Sequence, residues 1–196
     1  MKLKIYQIGE PALRQKAKPL SDEEIKSDYV KQLIELMRDT MRDIPGVGLA
    51  APQVGVSIQL AIIEYPMTVE LPQEVLDERQ IKRIPFHVII NPHITERSDE
   101  TVMFFEGCLS VMAYRALVPR HRKIKVDCLN EFGEKQVIEA EGWYARILQH
   151  EIDHLEGNLF VDKMCSKSFI AQELYVKQKL DYRLFSEMKE NFLKDE

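Results

Sequence analysis

The sequence predicts a single α+β domain in which a mostly antiparallel sheet surrounds a central helix, with a long C-terminal helix at the end of the chain. Three observations predict it. Strand-like segments cluster between about residue 57 and residue 141, and helical periodicity is confined to the stretches flanking them. The 196 residues, taken as residues 1–196, suffice for one well-buried core and not for two ordinary domains.

Residues 21–42 read as a helix. Ser21 with Glu24 makes a capping box, and Val30, Leu33, Ile34, Met37 and Met41 recur at helical spacing as its core stripe. Pro45, Gly46 and Gly48 break that pattern and open a loop through Gly55. A strand near 57–63 follows, and the stretch 64–84, charged over 70–83, reads as a surface excursion. Further strands are expected near 87–91, 100–105, 122–129 and 135–141, the last two joined by the hairpin-type turn Asn130-Glu131-Phe132-Gly133. Gly142 opens a helix to about Glu156 that Gly157 stops. A charged amphipathic helix over about 166–191 ends the chain, and packing on the core, pairing in a dimer and touching a partner all remain open for it.

Composition narrows the function classes. Apolar residues make up 45% and charged residues 30%, the balance of a globular protein, and the net charge of −5 argues against a general nucleic-acid binder. The local basic run Arg120, Arg122, Lys123 and Lys125 reads as the solvated face of a strand. Cys108, Cys128 and Cys165, an odd and widely spaced set, do not suggest a disulfide framework. The N-terminal segment has neither signal-peptide nor transit-sequence character, and no apolar run approaches membrane-spanning length. A reducing cytoplasm is the expected compartment, without direct binding to nucleic acid or membrane.

Chemistry concentrates in His150-Glu151-Ile152-Asp153-His154, within the expected helix 142–156. Residues i and i+4 share a helical face one turn apart, so both imidazoles can reach one ion. Glu151 stands at the edge of that face, close enough to exchange a proton with a water on the metal without being a ligand. A divalent metal brings the pKa of such a water toward neutrality, and the carboxylate takes its proton. A catalytic tetrahedral site needs a third protein ligand. Two residues compete for it: Cys108, in the turn-like Phe105-Glu106-Gly107-Cys108-Leu109-Ser110, and Glu173, nineteen residues after His154. Spacing alone does not decide between them. Gly46-Val47-Gly48-Leu49-Ala50-Ala51-Pro52-Gln53 adds a small-residue segment that allows close backbone approach and ends in an amide able to donate to an oxyanion.

Taken together, GVGLAAPQ at 46–53, EGCLS at 106–110 and QHEIDH at 149–154 resemble the peptide deformylases, enzymes that remove the formyl group from the N-terminal methionine of new polypeptides. The likeness runs from Ile5, Gly9, Pro11, Leu13 and Arg14 to about Lys163. The resemblance implies one divalent metal held by Cys108, His150 and His154, natively Fe²⁺, with Zn²⁺, Ni²⁺ or Co²⁺ able to replace it in a purified protein. It implies Glu151 as general base and acid, with Gln53 and the Leu109 N–H holding the formyl oxyanion. Val47, Gly48 and Glu106 would line or support the cleft, Arg115 would contact substrate, and Arg120 would pair with Glu106 to brace the Cys108 turn. The methionine pocket would draw on Phe104, Trp143, Arg146 and Ile147, of which Trp143 and Ile147 read equally well as core. Implied partners are N-formyl-methionyl nascent peptides and the ribosome. The chain departs from one branch of the family at Ala113, which stands where that branch has glycine and leaves the backbone of 111–114 open. Two other readings compete: a zinc peptidase with Glu173 as third ligand, and a catalytically inactive peptide-binding module.

Overall fold

The computed structural model describes residues 2–44, 46–67 and 70–192; Pro45 and residues 68–69 of the surface excursion lie outside the described residues. The first helical stretch is two helices, α1 (Asp22–Lys26) and α2 (Asp28–Asp43), separated by Ser27 in an extended conformation. The expected capping box is present, with Ser21 Oγ accepting from Glu24 N and Glu24 Oε2 accepting from Ser21 N. Ser27 then caps the second helix by accepting from Val30 N. Two N-caps six residues apart, Ser21 and Ser27, explain the break: each offers its own backbone turn in place of a continued helix.

Among the described residues, eight strands form two sheets. β1 (Gly48–Ala50), β2 (Leu60–Tyr65), β3 (Ile84–Arg97), β6 (Lys123–Leu129) and β7 (Lys135–Glu141) form a five-stranded antiparallel sheet in the order β1-β2-β3-β6-β7. β4 (Thr101–Glu106), β5 (Tyr114–His121) and β8 (Ile170–Ala171) form the second, also antiparallel. The β6–β7 hairpin closes at the expected turn, where Gly133 takes φ +81° and its N–H donates to Asn130 O.

The central helix is α4 (Gly142–Leu155), ended by Glu156 and by Gly157 at φ +79°. Its start is equally specific: Gly142 sits at φ +62°, and a Cβ there would stand 2.5 Å from Gln80 Cβ. α4 packs on one face of the larger sheet and α2 on the other. Successive residues of β2 alternate between the two layers, Ala61 and Ile63 toward α4, Leu60 and Ile62 toward α2, all fully buried. The apolar run 60–63 is therefore a strand buried on both faces.

Three expectations are corrected. The C-terminal stretch 166–191 is not one long helix but a chain of short pieces: β8, α5 (Gln172–Lys177) and α6 (Phe185–Phe192), with 3₁₀ turns at Ser166–Ser168 and Leu180–Tyr182. Ile170 and Ala171 are drawn into strand pairing by the open edge of β5, and Lys179 at φ +52° interrupts the helix after α5. Of its open uses, packing is what is seen: Ile170, Tyr175, Leu180 and Met188 bury against Phe105 and Leu117. The excursion 64–84 contains α3 (Gln73–Arg79), whose buried Arg79 donates to Arg183 O at 3.0 Å and whose Glu78 accepts from Phe185 N, so excursion and C-terminal segment dock on each other. Arg120 is not on a solvated strand face; it is 3% exposed, drawn inward by two carboxylates. No helix is long and apolar enough to cross a membrane among the described residues.

Candidate metal centre

α4 presents His150 and His154 one turn apart, and the β4–β5 connection carries Cys108 toward them. Among the described residues these three form a group able to hold a metal ion, their ligand atoms all within 4.8 Å of one another. Cys108 Sγ lies 3.2 Å from His154 Nε2. Glu173 is exposed on α5 and takes no part in this group. Of the two residues that spacing left open, Cys108 is the one that lies with the histidines.

The surroundings orient the ligands. His150 Nδ1 is 2.9 Å from Glu106 Oε2, which leaves Nε2 for an ion. Glu106 is in turn gripped by Arg120 through Nε at 2.8 Å and Nη2 at 2.9 Å, and by Arg146 Nη1 at 2.7 Å. Burial alone would raise the Glu106 carboxyl, but Arg120, His150 and Arg146 outweigh it and hold it well below the usual carboxylate range. Arg120 also donates through Nη1 to Asp153, which takes Lys163 Nζ at 2.6 Å. Burial, with His150 and Arg120 adding to it, holds His154 well below the ordinary histidine range and therefore neutral, the state a ligand requires.

Glu151 points into the same space. Its Oε2 is buried without a hydrogen-bond partner among the described residues, where a folded protein ordinarily pairs such atoms. Burial pushes its carboxyl up to about 7. Gly48 makes room for it: a Cβ on Gly48 would stand 2.2 Å from Glu151 Oε1. A soft thiolate, two imidazoles and an unpartnered carboxylate beside them fit a borderline divalent cation such as Fe²⁺ or Zn²⁺. Gln53, 1% exposed, accepts from Ala50 N at 2.8 Å and aims its Nε2 at Ser110 Oγ (3.2 Å) and Cys108 Sγ (3.5 Å). Leu109 opens a 3₁₀ turn, and its N–H makes no hydrogen bond among the described residues.

A cleft of about 420 Å³ opens over these groups and brings Val47, Gly48, Gln53, Glu106, Cys108, Leu109, Arg115, Trp143, Arg146, Ile147, His150 and Glu151 to one surface. Phe104 does not line it. It faces away from the cleft and packs edge-on against Phe185, with Arg79 and Arg146 over its ring. Phe105, its neighbour on the other face of β4, lines the cleft in its place. Arg146 is 2% exposed and spends its donors on Glu106 and on the carbonyls of Val102 and Val118, so it braces the wall more than it offers donors to a ligand. Tyr65, Met112, Tyr114 and Gln172 also line the cleft without a sequence signal that singles them out. Ala113 does not adopt a left-handed φ, so alanine is accommodated there without strain.

The family model described as "Polypeptide deformylase" matches residues 2–169. The chain is 42% identical over 172 residues to "Peptide deformylase 1A, chloroplastic" of Solanum lycopersicum, covering 86% of this chain and 62% of that protein. It is 38% identical over 167 residues to "Peptide deformylase, mitochondrial" of Homo sapiens, covering 84% of this chain and 69% of that one. The chain thus spans 62% of the length of the tomato relative, and the same share of "Peptide deformylase 1A, chloroplastic/mitochondrial" of Arabidopsis thaliana. Among solved structures, a Met-Ala-Ser-bound class I type b peptide deformylase from Acinetobacter baumannii superposes with a TM-score of 0.75 at 37% identity, covering 84% of this chain and 99% of that one. The structure of "Peptide Deformylase from Thermotoga maritima" gives 0.71 at 35%, covering 84% and 98%.

Proposed function

This chain belongs to the polypeptide deformylase family, and from that premise we propose that it hydrolyses N-formyl-methionyl nascent peptides to formate and a free amino terminus. The observation that carries the reading is the convergence of Cys108, His150 and His154 within 4.8 Å beside the unpartnered Glu151 carboxyl. Cys108, His150 and His154 would hold a divalent cation, Fe²⁺ on this reading, which would acidify a water and polarise the formyl carbonyl. Zn²⁺, Ni²⁺ or Co²⁺ suit the same ligands.

The protein groups do the rest. Glu151 removes a proton from the attacking water, whose oxygen bonds to the formyl carbon, and returns it to the amine nitrogen as the C–N bond breaks. Negative charge develops on the formyl oxygen, toward which the Gln53 amide and the Leu109 N–H donate. Both donors are fixed in advance by the folded chain, so little reorganisation accompanies the reaction. Val47 and Gly48, where β1 begins, offer their backbone edge to the peptide, and the methionine side chain fits the apolar wall of Phe105, Trp143 and Ile147. Arg115 meets the chain that follows. The reading also brings in the ribosome as the source of substrate and a reducing cytoplasm as the compartment, supported by the lack of any disulfide among the described residues.

Formate release from a formyl-Met tripeptide by anaerobically purified protein, with its metal assayed, tests the proposal. Cys108→Ala should lose the metal and the activity while Glu173→Ala keeps both. Metal retained by Cys108→Ala, or no formate from metal-loaded protein, overturns it.

A further inference from the structure

The C-terminal segment lies past residue 169, where the match to the family model ends, yet it reaches the cleft. Ile170 and Ala171 pair with Arg115 and Tyr114 of β5. The next residue, Gln172, lines the cleft, and its Oε1 accepts Arg115 Nε at 2.6 Å. Three residues further on, the buried Tyr175 ring lies 4.7 Å from Arg115 Cζ. The same guanidinium packs on Gly107, where a Cβ would stand 3.3 Å from Cζ. Arg115 is thus held by a hydrogen bond at Nε, an aromatic ring and a side-chain-free stretch of backbone. Its two Nη nitrogens make no hydrogen bond among the described residues.

We propose that Gln172 and Tyr175 are positioning residues that pre-set Arg115 as a subsite for peptide carbonyls beyond the formyl-methionine, so that the C-terminal segment governs how well longer peptides bind. A long, rotamer-rich arginine that is ordered only on binding loses that freedom in every complex, whereas one already held does not. Gln172 uses Nε, the nitrogen least suited to reach outward, and leaves the forked Nη pair for carbonyl oxygens. Burial of Tyr175 fixes the ring that carries the cation. The inference rests on the deformylase reading and adds to it the residues that set the reach of the substrate site.

The test compares KM and kcat of the metal-loaded full chain for formyl-Met-Ala-Ser amide and for formyl-Met amide, using wild type, Gln172→Ala and Gln172→Glu, with an unfolding midpoint for each. In Gln172→Ala the ratio of the tripeptide KM to the formyl-Met amide KM should rise about three- to tenfold, with a smaller change in kcat. Gln172→Glu, which keeps an acceptor for the same N–H, should hold the ratio near wild type. Should Gln172→Ala also lower the unfolding midpoint, Gln172→Met, of similar volume and without an acceptor, must reproduce the raised ratio. An unchanged ratio in Gln172→Ala, or the same rise in Gln172→Glu, overturns the clamp while leaving the deformylase reading intact. Wild type that releases no formate from either substrate overturns that reading and the clamp with it.

Discussion

Gln53 shows how a single residue here is committed by several neighbours at once. Its carbonyl oxygen is held by the Ala50 N–H and its amide nitrogen faces Ser110 and the Cys108 sulfur. If that amide stabilises the oxyanion, Gln53→Ala should retain metal and lose about 10²–10³ in kcat, as loss of one such donor does; steady-state formate release with metal analysis checks it. Glu151→Gln should bind metal and lose nearly all turnover. Burial raises the Glu151 carboxyl to about 7, and a cation beside it pulls it back down, because an adjacent positive charge favours the ionised form. A base works only when ionised, so kcat/KM should rise with pH through an acid limb at or below pH 7, and a limb well above that would refute Glu151 as the base. Residues of this kind were largely legible: the i, i+4 histidines and the intervening glutamate declare themselves by spacing. Phe104 and Phe105 did not, because adjacent strand residues face opposite ways and sequence alone does not say which face meets the cleft.

Elements were legible where a local signal sufficed. The Ser21 and Glu24 capping box, the Asn130–Gly133 turn and the Gly142 and Gly157 ends of α4 are all chemistry between near neighbours. What was missed depends on distant partners. The C-terminal stretch carries a helical pattern, yet the β5 edge claims Ile170 and Ala171 across more than fifty residues, and no local rule reports that bargain. The basic run made Arg120 look like surface, and only the resemblance paired it with Glu106; its other carboxylate partner, Asp153, comes from α4. Two substitutions test element-level packing. Gly142→Ala should destabilise by roughly 1–3 kcal/mol in urea unfolding, since a Cβ at φ +62° meets Gln80. Arg79→Ala removes donors to Leu180 O and Arg183 O and should cost about 1–3 kcal/mol, loosening the C-terminal segment from α3. Faster proteolysis of that segment, with the site still metal-loaded, would mark the loss as local.

At the scale of the molecule, the centre ties the three-stranded sheet to α4. Glu106 belongs to β4, Arg120 to β5, and His150 and Asp153 to α4, so losing any one charge leaves the others buried and underpaired. Glu106→Gln should therefore be less stable at neutral pH and bind metal about 10–100-fold more weakly. The acid dependence has a definite sign. Because the folded Glu106 carboxyl lies below its unfolded value, its contribution is present above that unfolded value and is lost as pH falls toward the folded one. Wild type should lose stability in acid more steeply than Glu106→Gln, as thermal melts between neutral and acid pH would show. Chelating the metal should lower Tm in wild type, by an amount that grows with the free-metal-to-Kd ratio before removal, and leave Cys108→Ala unchanged.

One contact has a consequence for the order in which the molecule comes together. Arg115 and Gln172 are 57 residues apart, and the three residues able to hold a metal all precede residue 155. Synthesis proceeds from the N-terminus, so domain parts that need late residues can assemble only after those residues leave the ribosome. The ligand triad is complete when His154 has emerged, whereas the rim at Arg115 waits for Gln172 and Tyr175. A nascent copy of this chain would gain its metal chemistry before its grip on long peptides, and chains arrested between those two points should load metal while discriminating poorly by peptide length.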